Sequence, residues 1–331
     1  MKSRKLLLAS LLISSVSLAV SGGRSAPRQK RGRRLTPRQT YIQSNIVELD
    51  LSYDFSVLGK THRLSFIVLL PRTIPDRQNI LSTNYSPKPS RIFNENGNRY
   101  AEFVFVKPNR RVKIEISIKA ELFRYDLLTA KKKRERDRHE DQQLRDFLRQ
   151  EKYIEKDHDQ IQEIANGIEG QTEMDIVIDI YDYVIDNVEY AMPSKKNRGA
   201  VKALRSGKGD CTEYADLFVA VCRAKNIPAR VATGYTVGFN SNSSKHNWAE
   251  VYLQEYGWVP FDPSKGDIKN AIIRGRVFSS MRPVYIYLSH IRNDEVLGSY
   301  NFGMYRYWGD KPRLKESIEF KRSAPPIPKI R

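Results

Sequence analysis

Between residues 207 and 265 the chain carries a thiol at Cys211, an imidazole at His246 and a carboxylate at Asp262. Together these are the groups of covalent acyl transfer. A thiolate attacks a carbonyl, a histidine takes and returns a proton, and a carboxylate orients the ring. Each residue also has an ordinary use. His246 stands in SSKHNWAEVYL and could be a loop histidine, and Asp262 precedes Pro263 and could begin a turn. A cysteine on a helix is most often core packing.

Local signals separate the two cysteines. Cys211 follows GKGD, a loop expected to be flexible and to open one side to solvent. Asp210 fits a helix N-cap and Glu213 the third helical position, so a capping box predicts a helix from Cys211 to about Lys225, ended by Asn226 and Pro228. A thiol in that first turn sits where the helix dipole stabilises negative charge. Ala215, Phe218, Val219 and Cys222 share one apolar face, which predicts that Cys222 is core. At ~1.5 Å per residue the two sulfurs are ~16 Å apart along the axis. A disulfide needs Cα atoms within about 7 Å, so the pair cannot bridge within one helix.

His246 precedes an alternating strand, and Asp262 closes a second one, GWVPFDPS. If those strands are paired neighbours, both side chains project toward one edge, and the helix of Cys211 can pack across it. A free thiol is only a few per cent ionised at neutral pH. Lowering its pKa to ~6 gains about two- to threefold, because nucleophilicity falls with basicity. The larger service of the histidine is to protonate a departing amine, worth roughly 10² to 10⁴.

The elements that must hold these groups lie in a chain of 331 residues with a formal charge of +19. Its N-terminus, MKSRKLLLASLLISSVSLAVSGG, has cations, an apolar run to Val20 and small residues before Gly22, the pattern of a cleaved secretory signal over 1–21. The run is short for a membrane span, and no other apolar stretch approaches one. A secreted or periplasmic protein is therefore expected, with no transmembrane segment after cleavage. Residues 22–40 form a basic arm without hydrophobic periodicity, read as disordered and suited to an anionic surface such as envelope polymers or lipid headgroups; nucleic acid is not expected. Residues 41–128 alternate as strands, in NIVELDLSYDFSV, HRLSFIVLL, YAEFVFV and RVKIEISIKAELF, and predict an all-β sandwich-like module.

Residues 129–160 are dense in mixed charge without Gly or Pro and predict a solvated helical connector, with His139 and His158 as surface residues. From 161 to 320 helices and strands mix, beginning with TEMDIVIDIYDYVIDNVEY, where Met174, Ile178, Tyr181, Ile185 and Val188 recur at helical spacing. The Tyr-rich VYIYLSH and YNFGMYRYWG are read as further strands of this α+β domain, and 321–331 as an irregular basic tail. No metal-ligand spacing or phosphate loop is present, so no cofactor is expected. Zinc on Cys211 and His246 would lack a second pair of ligands.

GKGDC, YADLF, RAKNIPARVATGY, HNWAEV and GWVPFDP resemble the motifs of the transglutaminase-like superfamily of papain-like folds, in its bacterial exported form. The resemblance spans about 170 to 270 and is looser over the β-module. It implies Cys211 as nucleophile, His246 as base and acid, and Asp262 as orienter. Asn247 stands where such proteins often carry alanine, with little effect expected. The Cys211 N–H would be one oxyanion donor and Tyr190 or a tryptophan the second, with Trp248 and Trp258 read as walls around His246 rather than donors. The implied activity is acyl transfer on protein or peptide amides, by glutamine deamidation, cross-linking or hydrolysis. The rival reading is an inactive envelope-associated binding protein that works through the β-module and arm.

Overall fold

The computed structural model describes residues 43–57, 59–132, 142, 144–191, 197–237 and 244–322. The leader, the basic arm, His139 and the final nine residues lie outside them. Among the described residues, no helix is long and apolar enough to cross a membrane.

The N-terminal half supplies strands β1 (Ser44–Ser56), β2 (Arg63–Leu70), β3 (Gln78–Ser86), β4 (Arg91–Glu95), β5 (Asn98–Val106), β6 (Arg111–Phe123) and β7 (Tyr125–Asp126). Strict alternation in β1 and β6 buries Leu49, Leu51, Tyr53 and Phe55 opposite Ile118, Ile116, Ile114 and Val112, as a half-buried antiparallel pair requires. β2 instead is buried almost throughout, as a central strand covered on both faces.

The remainder contains helices α1 (Asp159–Gly167), α2 (Glu173–Asn187), α3 (Ala200–Ser206) and α4 (Cys211–Ala224), with strands β8 (Glu189–Tyr190) and β9 (Lys208–Gly209) between them. Strands β10 (Ala229–Thr236), β11 (Ser244–Leu253) and β12 (Gly257–Phe261) follow, then helices α5 (Pro263–Gly266) and α6 (Ala271–Ser279). The chain closes with β13 (Ser280–Met281), β14 (Tyr285–Ser289), β15 (Gly303–Trp308) and β16 (Arg313–Arg322). An antiparallel sheet of order β12-β11-β10-β14 carries the site, with α4 laid across it and buried all round.

Three sequence expectations change. The sequence puts 303–320 in the α+β domain and begins an irregular tail at 321, yet β15 and β16, which runs to Arg322, pair with β2 and β1 and complete the sandwich, whose sheets run β16-β1-β6-β3 and β15-β2-β5-β4. Alternation identifies a strand but not its partner. The stretch expected as a solvated helical connector is not one helix where described: Leu144 and Ile154 are buried, and Glu151 and Ile154 form an isolated bridge. His158 there caps α1 by accepting from the Gln160 N–H, at the surface as expected. The buried stripe of α2 runs through Val177, Ile180, Tyr181, Val184 and Ile185, rotated from the one expected because α4 and α5 cover a second flank.

The sandwich buttresses the α+β sheet. Arg77, just before β3, donates to the Trp258 carbonyl at 2.6 Å and to Glu250 at 3.3 Å, and Gln78 exchanges hydrogen bonds with both backbone groups of Tyr287. Tyr235, Ile286 and Leu288, from the α+β sheet, are buried in the core of the sandwich.

Gly234 shows why a glycine precedes Tyr235. A Cβ there would lie 1.8 Å from the Ile286 carbonyl and 2.9 Å from the Trp248 ring, beside the register shift between β10 and β14. Gly234→Ala is therefore expected to cost about 1–3 kcal/mol through overpacking. A thermal melt of the variant checks it, and an unchanged midpoint would remove the close-approach explanation.

Candidate active site

Asp210 caps α4 as the sequence implies. Its carboxylate accepts from the Thr212 N–H at 2.8 Å, and Glu213 accepts from the Asp210 N–H at 3.0 Å. That box sets Cys211 in the first helical turn, 9% exposed rather than open on the surface. The preceding GKGD segment is a fixed turn, not a loose loop. Gly207 takes the left-handed conformation that ends α3, at φ 60°, and Lys208 and Gly209 pair in parallel with Glu189 and Tyr190. Both cysteines are free thiols. Cys222 is wholly buried among apolar neighbours, and burial pushes its thiol pKa far up.

β11 and β12 are antiparallel neighbours with Ala249 opposite Phe261. One further step of that register sets Asp262 across from Trp248 and diagonal to His246. His246 Nε2 lies 2.7 Å from Asp262 Oδ2, with both residues buried. The other ring nitrogen is left for Cys211, which lies near enough to favour the protonated ring. The three groups selected from the sequence thus meet in the order sulfur, imidazole, carboxylate.

Burial disfavours a charge on His246, but the Asp262 carboxylate outweighs it and, with Cys211, raises the imidazolium to about 10. Burial likewise pushes Asp262 upward, and the attraction of His246 with hydrogen bonds from Tyr285 and Ser264 holds it below the usual carboxylate range. The alternative raised for Asp262 holds alongside its contact with the ring. Asp262 does begin a turn, capping α5 through its Oδ1 and the Lys265 N–H, while its Oδ2 serves the histidine.

Tyr285 and Asn247 are site residues that the sequence reading did not select as such. Tyr285 O–H donates to the same Asp262 oxygen at 2.8 Å, and Ser264 O–H donates to the other at 2.9 Å. The carboxylate therefore has four donors and no freedom to rotate. Tyr285 sits in β14, whose aromatic alternation predicted a strand but gave no sign of its neighbour. Asn247, expected to matter little, is buried and bridges β10 to α4: it accepts from Thr233 at 2.7 Å and donates to Thr212 at 2.9 Å. The residue after His246 thus ties to the residue after Cys211. Its adjacency to the histidine was the one available signal.

The two tryptophans part company. Trp248, fully buried, stacks on the His246 ring at 6.0 Å and forms the expected wall. Trp258 does not belong to the site. Its side chain packs against Arg230 at 3.9 Å, Phe147 and Tyr252, because it stands opposite Tyr252, six residues along β11 from His246. Tyr190 is 49% exposed at the rim, brought beside Cys211 by the β8–β9 pairing. Partial burial and the nearby Cys211, Asp210 and Asp262 push its hydroxyl up to about 12, so it remains a hydrogen-bond donor. Among the described residues no cluster of His, Cys, Asp and Glu could hold a metal ion.

Residues 162–263 match the model of the transglutaminase-like superfamily. This segment is a transglutaminase-like domain. An uncharacterized protein, YebA, of Bacillus subtilis (strain 168) is 37% identical over 71 residues, 18% of this chain and 10% of that protein. The kyphoscoliosis peptidase of Homo sapiens is 32% identical over 98 residues, 26% of this chain and 15% of the peptidase. The chain thus matches only a small part of either relative's length. A solved structure of a candidate cysteine protease from Cytophaga hutchinsonii superposes with a TM-score of 0.60 at 19% identity, covering 86% of this chain and 93% of that one. At that identity the likeness is one of fold. It extends well beyond the transglutaminase-like domain into the sandwich, which the family model does not cover.

Proposed function

We propose that this protein is an exported thiol enzyme that transfers acyl groups from protein or peptide amides through Cys211, His246 and Asp262. The observation that carries the reading is the convergence of the three groups, with the His246 ring 2.7 Å from the Asp262 carboxylate and Cys211 near enough to the same ring to affect its charge. A structural histidine has no need of a thiol on one side and a fully bonded carboxylate on the other.

Cys211 Sγ attacks the amide carbonyl carbon, and the carbonyl oxygen takes up the charge. The Cys211 backbone N–H, at the open end of α4, stabilises that oxygen, and the half-exposed Tyr190 serves as the second donor in this reading. The imidazolium gives its proton to the amine as the C–N bond breaks, leaving a thioester on Cys211. Asp262 keeps Nε2 protonated throughout, so that the proton moving to the amine comes from the nitrogen that faces the sulfur. Water then releases an acid, or a primary amine forms a new amide.

Incubation of the mature protein with a glutamine peptide and a tagged primary amine, read by mass spectrometry, tests the proposal. Loss of ammonia with gain of water reports deamidation, a tagged peptide reports cross-linking, and shortened peptides report hydrolysis. Any of these, absent in Cys211→Ala, supports the reading. A protein that labels at neither thiol with iodoacetamide and alters no peptide would instead be the inactive binding protein.

A further inference from the structure

Three connections lie together at one end of the sandwich, represented by residues 57 and 59–62 between β1 and β2, 107–110 between β5 and β6, and 309–312 between β15 and β16. Backbone bonds knit them, from Val57 N–H to the Arg110 carbonyl at 2.8 Å, His62 N–H to Trp308 at 2.7 Å and Lys107 N–H to His62 at 2.8 Å. This end exposes Lys60, Arg63, Lys107, Arg110, Lys311 and Arg313. Arg111 is also here, answered by Asp54 on β1, and the one carboxylate within the three turns, Asp310, accepts from the Lys60 N–H at 2.7 Å. Within the three turns Lys60, Lys107, Arg110 and Lys311 stand against Asp310 alone, so this end is locally positive.

The same end carries apolar surface. Register pairs Trp308 with Arg63 and Arg63 with Val106, so the three side chains stand in a row on the outer face of one sheet. Trp308 is 48% exposed with the Arg63 guanidinium 5.2 Å from its ring centre, and Val106 is 70% exposed. A soluble anionic polymer would call only for the cations. An indole and an isopropyl group held out among cations match the region just below lipid headgroups, where tryptophan is enriched and basic side chains meet anionic lipid.

We propose that this end of the sandwich docks the protein on an anionic lipid bilayer, with Trp308 and Val106 entering the headgroup region and the basic turns contacting lipid phosphates. The inference stands whether or not the enzyme reading holds.

Flotation of the full mature chain with phosphatidylcholine vesicles, with and without phosphatidylglycerol, tests it. Binding is expected to need the anionic lipid and to weaken about fivefold for each cation removed among Lys107, Arg110 and Lys311. Trp308→Ala is expected to weaken it further without changing the salt dependence, and brominated lipid is expected to quench fluorescence in wild type but far less in Trp308→Phe. Circular dichroism confirms that each variant is folded. Vesicle binding unaffected by the turn substitutions would assign it to the arm and overturn the proposal. So would charge-dependent binding, to vesicles and soluble polyphosphate alike, with no dependence on Trp308.

Discussion

Cys211→Ala is expected to lower acyl-transfer activity by about 10⁴-fold or more, to background, while Cys222→Ala leaves the chemistry in place and costs stability instead. The size follows from the role. Without the sulfur there is no covalent intermediate, and what is left is the residual help of carbonyl polarisation and binding. The two thiols differ sharply in surroundings: Cys211 faces His246 at the helix entrance, and Cys222 is 0% exposed in the apolar core. Iodoacetamide at pH 6 should therefore label Cys211 stoichiometrically and spare Cys222, as intact-mass and peptide mapping would read. Equal inertness of both would end the nucleophile assignment.

Asp262→Asn is expected to leave the fold intact and cut activity by about 10³- to 10⁴-fold. The carboxylate accepts from the His246 ring and Tyr285 on one oxygen and from Ser264 and the Lys265 N–H on the other. An amide keeps one acceptor and presents an NH₂ in place of the second. With the NH₂ toward His246, Nε2 must accept rather than donate, and the proton moves to the nitrogen that should take one from the thiol. Loss of the anion also removes the principal cause of the raised imidazolium, so the alkaline fall in activity, expected near pH 10 in wild type, should move down toward the ordinary histidine value of 6.5.

The same pair gives a stability signature. The native state holds the His246 proton more tightly than the unfolded chain, so that contribution is complete below pH 6.5, declines above it and is gone beyond about 10. Asp262, held below 3.8, contributes above that value and loses the contribution as pH falls through its native pKa. Wild type should therefore melt at progressively lower temperature from pH 7 to 10, with a flatter profile in Asp262→Asn. Parallel profiles would show that the pair is not coupled as described.

Much of the candidate site was legible because its signals are local. Asp210 and Glu213 state the start of α4 within four residues, and that places Cys211 in the first turn without any knowledge of the rest. The alternation in AEVYL and the stop at Asp262 likewise identify two strands, and the structure pairs them. What could not be read depends on contacts between distant segments. Tyr285 reaches Asp262 from β14, Asn247 reaches back to Thr212, and Trp258, placed by its proximity in sequence, faces a different neighbourhood one pairing away.

The amino-acid sequence by itself determined the helix that begins at Cys211, the two strands that carry His246 and end at Asp262, and the β-rich character of the N-terminal half. Those follow from capping, alternation and turn chemistry, which act over a few residues. Only the tertiary structure decided that β15 and β16 belong to the sandwich, that Asp262 has four donors, and that basic turns far apart in the chain share one end with Trp308. The reason is that period and propensity describe which face of an element is apolar, whereas the partner that covers it is chosen by packing across the whole chain.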